Sequence, residues 1–344
     1  MATDDRREMV TVLQVARRAN VSVGTVSNVL NRPAIVSRET RERVLRVIDE
    51  LGFVRNESAR HLRSGAGRLI GLVLLDLSNP FFADLARGVE DRASEAGYSV
   101  IVCNSDEDAG KEDSYMRVLE EQRVQGMLIV PVAPVTAGVE RLRARGTPVV
   151  RVTHRTTDDE CGVGVDDLRG GELAMGHLLG LGHERIAYVT SASHVWPTDE
   201  RREGALNAAR KAGRSDEALH DITVEHLNVA HGRDAGERVL GLRPRPTAVI
   251  CANDLVALGV LQVMIRHGVS VPDDMAIVGF DDIEFASAAA IPLTSVRLPR
   301  QFIGRTAADL LLAEAARDPE HVHRRVVLQP ELVVRQSTIG NGRS

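Results

Sequence analysis

The stretch Ser22-Val23-Gly24-Thr25-Val26-Ser27-Asn28 carries the first chemistry legible in the chain. Val26, Val29 and Leu30 recur at helical spacing, which leaves Val23, Gly24, Thr25, Ser27 and Asn28 on the outer face. These side chains are small and uncharged, so a helix bearing them fits closely into a DNA major groove. Asn28 has the amide that reads adenine bidentately, and Val23 can touch a thymine methyl. Ser22, Thr25 and Ser27 suit phosphate oxygens, aided by the positive N-terminal end of the helix. A second set of residues lies where apolar runs end. Ser78-Asn79-Pro80-Phe81-Phe82, Asn253 and Asp281 each follow a strand-like run, and ligands of open α/β sheets sit at the carboxyl ends of strands. Asn and Asp supply donors and acceptors for a polyhydroxylated ligand, and Arg201 supplies a planar fork. Phe81, Phe82 and Trp196 offer apolar faces to a sugar or base. Plainer readings stand beside these. The outward helix also fits a three-helix protein-interaction module. Phe81 and Phe82 also fit a helix-start core, Trp196 a loop anchor, and Asn253 and Asp281 helix caps.

No catalytic set accompanies these residues. Gly65-x-Gly67 precedes a strand, whereas a dinucleotide fingerprint must follow one. The chain has no Gly-x-x-x-x-Gly-Lys, no Gly-x-Ser-x-Gly and no Cys-x-x-Cys. His177 and His183 are spaced poorly for a shared metal on one helix face. Asp281 and Asp282 are adjacent, so their side chains point apart. No enzymatic activity, cofactor or metal is therefore expected.

Three short helices must position the first set. Thr11-Val-Leu-Gln14 has capping-box spacing, and Val12, Val15, Ala16 and Ala19 line one face. Ser22 caps the second helix, which Asn31-Arg32-Pro33 ends. Ser37 caps a third, with Val44, Leu45, Ile48 and Leu51 inward and Gly52 as the stop. None is long enough to be stable alone, but together they share a small core and describe a helix-turn-helix.

The second set requires a different architecture. Apolar runs at Leu69–Leu75, Tyr98–Cys103, Gly126–Val130 and Pro148–Val152 form one series. Arg185–Thr190, Ala248–Cys251 and Met275–Phe280 form another. Amphipathic stretches such as Phe82–Ala96 and Asp254–His267 lie between them. This alternation predicts two α/β lobes of parallel sheet with a cleft between.

The net charge of −5 over 344 residues seems to argue against a nucleic-acid partner. The distribution reverses that inference. Val10 to Ser64 holds 10 Arg against 5 acidic residues, a net +5, while residues 65–344 carry −9. A basic head on an acidic body marks a nucleic-acid end. The start, Met1–Glu8, is polar and shows no export signal, and no apolar run is long enough to span a membrane. Three widely spaced cysteines fit reduced thiols, so a cytoplasmic location is expected.

Residues 12–31 resemble the DNA-binding head of the lactose/galactose-repressor family, most specifically in Val21-Ser22, Thr25-Val26-Ser27 and Val29-Leu30-Asn31. The resemblance implies that Val23, Gly24 and Asn28 hold the base-reading positions and that Asn31 positions the backbone. Thr11, Ser22, Thr25 and Ser27 complete the expected DNA-binding set. Residues 56–65 resemble the family's hinge helix, including Ala59, Arg60 and Leu62. An exposed Leu62 in a polar segment suits an apolar wedge in the minor groove, paired with that of a dimer mate. Phe53-Val54-Arg55 stands where the family has Tyr-x-Pro, which removes a helix-start signal.

The resemblance continues through Ser78–Phe82, His177–Ile186, Cys251–Asp254 and Val278–Asp282, and covers nearly the whole chain. It implies an effector-binding core similar to periplasmic sugar-binding proteins, in which the chain crosses three times between lobes. By resemblance, Asn253, Asp281 and Arg201 are the strongest ligand contacts, and Thr153 and Leu227 hold weaker positions. Thr153 stands where many relatives have Asp.

The expected fold is thus an all-α helix-turn-helix head plus an α/β periplasmic-binding-protein-like core of two parallel-sheet lobes. The head spans 1–54 and the hinge 55–67. The core spans 68–340, with an N-lobe of about 68–164 and 298–325 and a C-lobe of about 165–297 and 326–340. The expected function is a sequence-specific transcriptional regulator, a repressor, controlled by a small molecule between the lobes. The effector is a sugar in the first reading and a purine or other metabolite in the second. A homodimer on double-stranded, pseudo-palindromic operator DNA is the expected assembly. A solute-binding protein shares the core but lacks the basic head, and a two-lobed enzyme needs the catalytic motifs that are missing.

Overall fold

The computed structural model describes residues 10–53, 68–133, 137–153, 159–191, 196–316, 318 and 320–339. The expected hinge residues Ala59, Arg60 and Leu62 lie outside these. Two compact units divide the chain after Gly67.

The first unit holds helices α1 (Val12–Ala19), α2 (Val23–Asn31) and α3 (Arg38–Leu51). Thr11 closes a capping box with Gln14, whose backbone N–H donates to the Thr11 hydroxyl at 3.3 Å. Ser22 accepts from Thr25 N at 3.0 Å and starts α2. Ser37 starts α3, and Gly52 ends it with φ +62°, a conformation open to glycine at little cost. Val15, Ala16, Ala19, Val26, Val29, Val44 and Val47 form the shared core. Leu45, expected inward, is exposed. Val47 takes its place, because Val44, Val47, Ile48 and Leu51 also satisfy helical spacing.

The second unit contains two six-stranded sheets. One is built from β1 (Leu69–Leu74), β2 (Ser99–Asn104), β3 (Gly126–Ile129), β4 (Val149–Arg151), β5 (Gly162–Val165) and β11 (Arg325–Leu328). Its order is β11-β5-β4-β3-β1-β2, parallel throughout. The other comprises β6 (Ile186–Ser191), β7 (Leu219–Val224), β8 (Ala248–Cys251), β9 (Ala276–Asp281), β10 (Thr294–Arg297) and β12 (Glu331–Val333). Its order, β12-β10-β9-β8-β6-β7, repeats the first except that β12 runs antiparallel. Inner strands such as Ile186–Ser191 are buried along their whole length, as sheets covered on both faces require.

The chain passes between sheets after β5, after β10 and after β11. The third passage, expected near 325/326, falls later, because Arg325 to Leu328 pair with Gly162 to Val165 in the first sheet.

Helices α4 (Pro80–Glu95), α5 (Asp167–Gly180), α6 (Trp196–Lys211), α7 (Asp254–Arg266) and α8 (Arg300–Ala315) flank the sheets. Several meet through glycine. A Cβ on Gly171 of α5 would fall on the Arg201 carbonyl oxygen of α6, and one on Gly204 would fall on that of Leu168. Gly88 and Gly304 bring α4 against α8 in the same way. The main chains touch directly, and this fixes where Arg201 stands.

Candidate functional site

A cleft of about 360 Å³ opens at the carboxyl ends of both sheets, within the range of small-ligand sites. Asn79, Phe81, Phe82 and Thr153 line it from one lobe. Arg201, Leu227, Asn253 and Asp281 line it from the other. Of the expected set only Trp196 is left; it begins α6, and its side chain lies outside what is described.

Asp281 ends β9 and is buried, with φ +97°, a strained value for a residue other than glycine. Its neighbours over-determine that turn. The Ile283 N–H donates to Asp254 Oδ2 at 2.8 Å, and the Asp282 N–H donates to Ser295 Oγ at 3.0 Å. Ser295 Oγ donates in turn to Asp254 Oδ1 at 2.7 Å. Gly279 is required here, since a Cβ would collide with the Asp254 carboxylate. Burial raises the Asp281 carboxyl to about 6, opposed by the Arg201 cation and by a hydrogen bond from Asn79. That last bond spans the cleft, because Asn79 caps α4 in the N-lobe. Burial also pushes Asp254 well above the ordinary carboxylate range, and nearby Asp281 adds to the effect.

Arg201 is buried and already committed. Its Nε donates to Asp167 Oδ1 at 2.8 Å, and its Nη1 donates to the Ala252 carbonyl at 2.7 Å. The same Nη1 lies 3.9 Å from Asp281 Oδ1, and the guanidinium stacks 3.7 Å above the Phe280 ring. Asn253 both caps a helix and faces the cleft. Its Oδ1 accepts from Val256 N at 2.9 Å, while its Nδ2 donates to Leu227 O at 2.9 Å. The two readings of Asn253 are therefore compatible. Phe81 and Phe82 pack edge to face, 5.0 Å apart, and also touch the main core.

Sequence reasoning missed Asp167, Asp254 and Arg300. Asp167 follows β5 just as Asn253 follows β8, and the same rule finds it once β5 is recognised. Arg300 opens α8. It donates to Asp84 Oδ2 on α4 at 2.9 Å, and to the main-chain oxygens of Asp281 at 2.6 Å and Asp282 at 2.5 Å.

In the head, Gly24, Asn28 and Asn31 are exposed on α2. Ser22 and Thr25 share a hydroxyl contact at 3.0 Å, and Asn31 Nδ2 donates to Ser27 Oγ at 3.1 Å. Val23 is half-buried against the head core rather than fully outward. Thr11 spends its side chain on the cap of α1.

Residues 11–56 match the family model described as bacterial regulatory proteins of the lacI family. Residues 175–338 match the periplasmic binding protein-like domain. The HTH-type transcriptional repressor PurR of Photobacterium profundum is 32% identical over 346 residues, covering 96% of this chain and 98% of its own. The Lac repressor dimer bound to operator and the anti-inducer ONPF superposes with a TM-score of 0.80 at 26% identity, covering 97% of this chain and 100% of that one. The complex of the transcriptional regulator CelR with cellobiose gives 0.72 at 30% identity, covering 95% and 99%. A helix-turn-helix head, a two-lobed core with its cleft, and similarity running the length of a curated repressor agree: the chain belongs to the lacI family of bacterial regulatory proteins.

Proposed function

We infer that the protein is a homodimeric transcriptional repressor whose affinity for a pseudo-palindromic operator is set by a neutral or amine-bearing polyhydroxylated molecule in the cleft. The observation that carries this reading is the Asp281 turn. A buried carboxylate, held in a strained conformation by Asp254, Ser295 and Arg300, faces Asn79 of the opposite lobe. Asp76, Asp106, Glu107 and Glu200 add further acceptors to the lining. Such a lining favours ligands rich in O–H or N–H donors and repels anions. Asn79, Arg201, Asn253 and Asp281 would hold the polar groups. Phe81, Phe82, Thr153, Leu227 and Trp196 would complete the wall. The CelR relative binds cellobiose, which supports a sugar. A purine or other metabolite is the second class to test.

On DNA, Asn28, Val23 and Gly24 would face base edges, with Thr11, Ser22, Thr25, Ser27 and Asn31 at the backbone. Ala59, Arg60 and Leu62 would form the hinge, with Leu62 as the minor-groove wedge. The working compartment is the cytoplasm, where operator DNA is reached. No helix among the described residues is long and apolar enough to cross a membrane.

Ligand binding shifts the orientation of the lobes, and that shift changes hinge order on DNA. A thermal-shift screen of neutral sugars, sugar acids and nucleobases tests the effector class. A neutral sugar should raise the unfolding midpoint and change operator affinity. A response confined to nucleobases or to sugar acids would overturn the sugar reading. Leu62→Ala should weaken operator binding far more than nonspecific binding, and equal loss would refute the wedge.

A further inference from the structure

Away from the cleft, four potential metal ligands converge on the N-lobe. Cys161 immediately precedes β5 and is buried. Glu314 sits in the last turn of α8. His321 and His323 lie on the approach to β11, on either side of Val322, which is 70% exposed. Alternate residues of an extended segment share a face, so both imidazoles turn to the same side. The sheet brings them to the cysteine. Gly162 N donates to Arg324 O at 3.0 Å, and Arg325 pairs with Gly162.

The Cys161 sulfur lies 3.4 Å from His321 Nε2 and 3.6 Å from His323 Nδ1. One donor atom from each of the four residues falls within 4.8 Å of all the others. In a tetrahedral zinc site, Zn–S and Zn–N bonds of ordinary length place sulfur and nitrogen about 3.6 Å apart. The two observed separations match that spacing. Glu314 lies beside the Cys161 thiol, and its buried Oε2, without a hydrogen-bond partner among the described residues, would be satisfied by a cation. A thiolate and a carboxylate balance a divalent charge, and two neutral imidazoles complete four ligands of the softness that suits zinc.

We propose that Cys161, Glu314, His321 and His323 form a zinc site that clasps the end of α8 and the start of β11 to the start of β5. Four protein ligands leave no open position, so the site is structural and takes no part in ligand chemistry. It fastens the strand from which the chain makes its third passage between lobes. The site stands apart from the cleft and does not depend on the effector reading. In sequence, Glu314, His321 and His323 lie close together, whereas Cys161 is far from them and only the sheet brings it near.

The test uses full-length protein without a histidine tag, stripped of metal under reducing conditions and titrated with cobalt(II) alone, then zinc(II). One cobalt per chain should bind, with a thiolate-to-cobalt charge-transfer band and tetrahedral visible bands that zinc abolishes. Zinc should also raise the unfolding midpoint. Cys161→Ser should lose the charge-transfer band. Because Cys161 is buried and its variant can misfold, the H321A/H323A double variant at the surface carries the test independently. It should fold, as circular dichroism checks, and lose both the bands and the zinc-induced shift. Absence of bands in the natural sequence, or their persistence in the double histidine variant, would overturn the site.

Discussion

The Arg300 guanidinium donates to the main-chain oxygen of Asp281 at 2.6 Å. One residue opens the N-lobe helix after the second passage between lobes, and the other is the strained carboxylate that faces the ligand space. With its bond to Asp84, Arg300 therefore ties the turn that would feel a ligand to the N-lobe at the second passage between lobes. Arg300→Ala should leave effector affinity within a few-fold while reducing the change in operator affinity that the effector produces. Calorimetry and DNA-binding anisotropy on the same samples read the two separately. A full effector response in the variant would remove Arg300 from the coupling.

Asp281 should be a stability liability near neutral pH. Its folded-state carboxyl is raised from 3.8 to about 6, so the fold favours the protonated form. The cost of ionising it is absent below the unfolded value and complete above about pH 6, where two pKa units correspond to roughly 3 kcal/mol. Asp281→Asn keeps the shape and removes the charge. It should be more stable than the natural protein above pH 6, with the gap closing as pH falls toward 4. Urea unfolding across that range checks the sign.

The same group should set the pH dependence of effector binding. In the proposed site, ligand hydroxyls would donate to the ionised carboxylate, so affinity should fall as pH drops through about 6. The limiting slope is about tenfold per pH unit, the signature of one proton. Asp281→Asn should bind weakly and without that slope.

Glycines on one helix separate two effects. Gly171 faces the Arg201 backbone with no room for a methyl group, whereas Gly176 on the same helix faces open space. Gly171→Ala should destabilise by at least about 1–3 kcal/mol through forced separation of the helices. Gly176→Ala should stabilise by roughly 0.5–1 kcal/mol through helix propensity. Denaturant midpoints at constant slope decide between these outcomes.

Asn28 is an exposed amide on the outer face of α2. Asn28→Ala should cost about 1–3 kcal/mol of discrimination at the operator and leave nonspecific affinity nearly unchanged. Competition with random-sequence DNA at fixed salt measures the difference.

Strands with continuous aliphatic runs, such as Ile186–Ser191 and Ala276–Asp281, are legible from those runs. Short or polar strands are not. Leu219–Val224 reads Leu-His-Asp-Ile-Thr-Val, with three of its residues exposed, and carries no apolar run. Gly162–Val165 alternates glycine with valine and is only four residues long. Missing it hides Asp167. Asn253 and Asp281 are found because polar residues after recognisable strands stand out. Asp254 and Arg300 are not, because a charged residue at the start of a helix is ordinary until its burial is known. In the head, caps and stops are explicit in residue type, while the choice between Leu45 and Val47 is not, since both obey the same spacing.

Where helix main chains meet at Gly171, Gly204, Gly88 and Gly304, no layer of side chains remains between them to give under load. Each lobe is accordingly a stiff block, and its compliance is concentrated in the three segments of chain that pass between blocks. A molecule closing the cleft has no soft interior in which its work can be dissipated. That work becomes an angle between two solids, and an angle, unlike a local rearrangement, grows into a larger displacement with distance from the pivot.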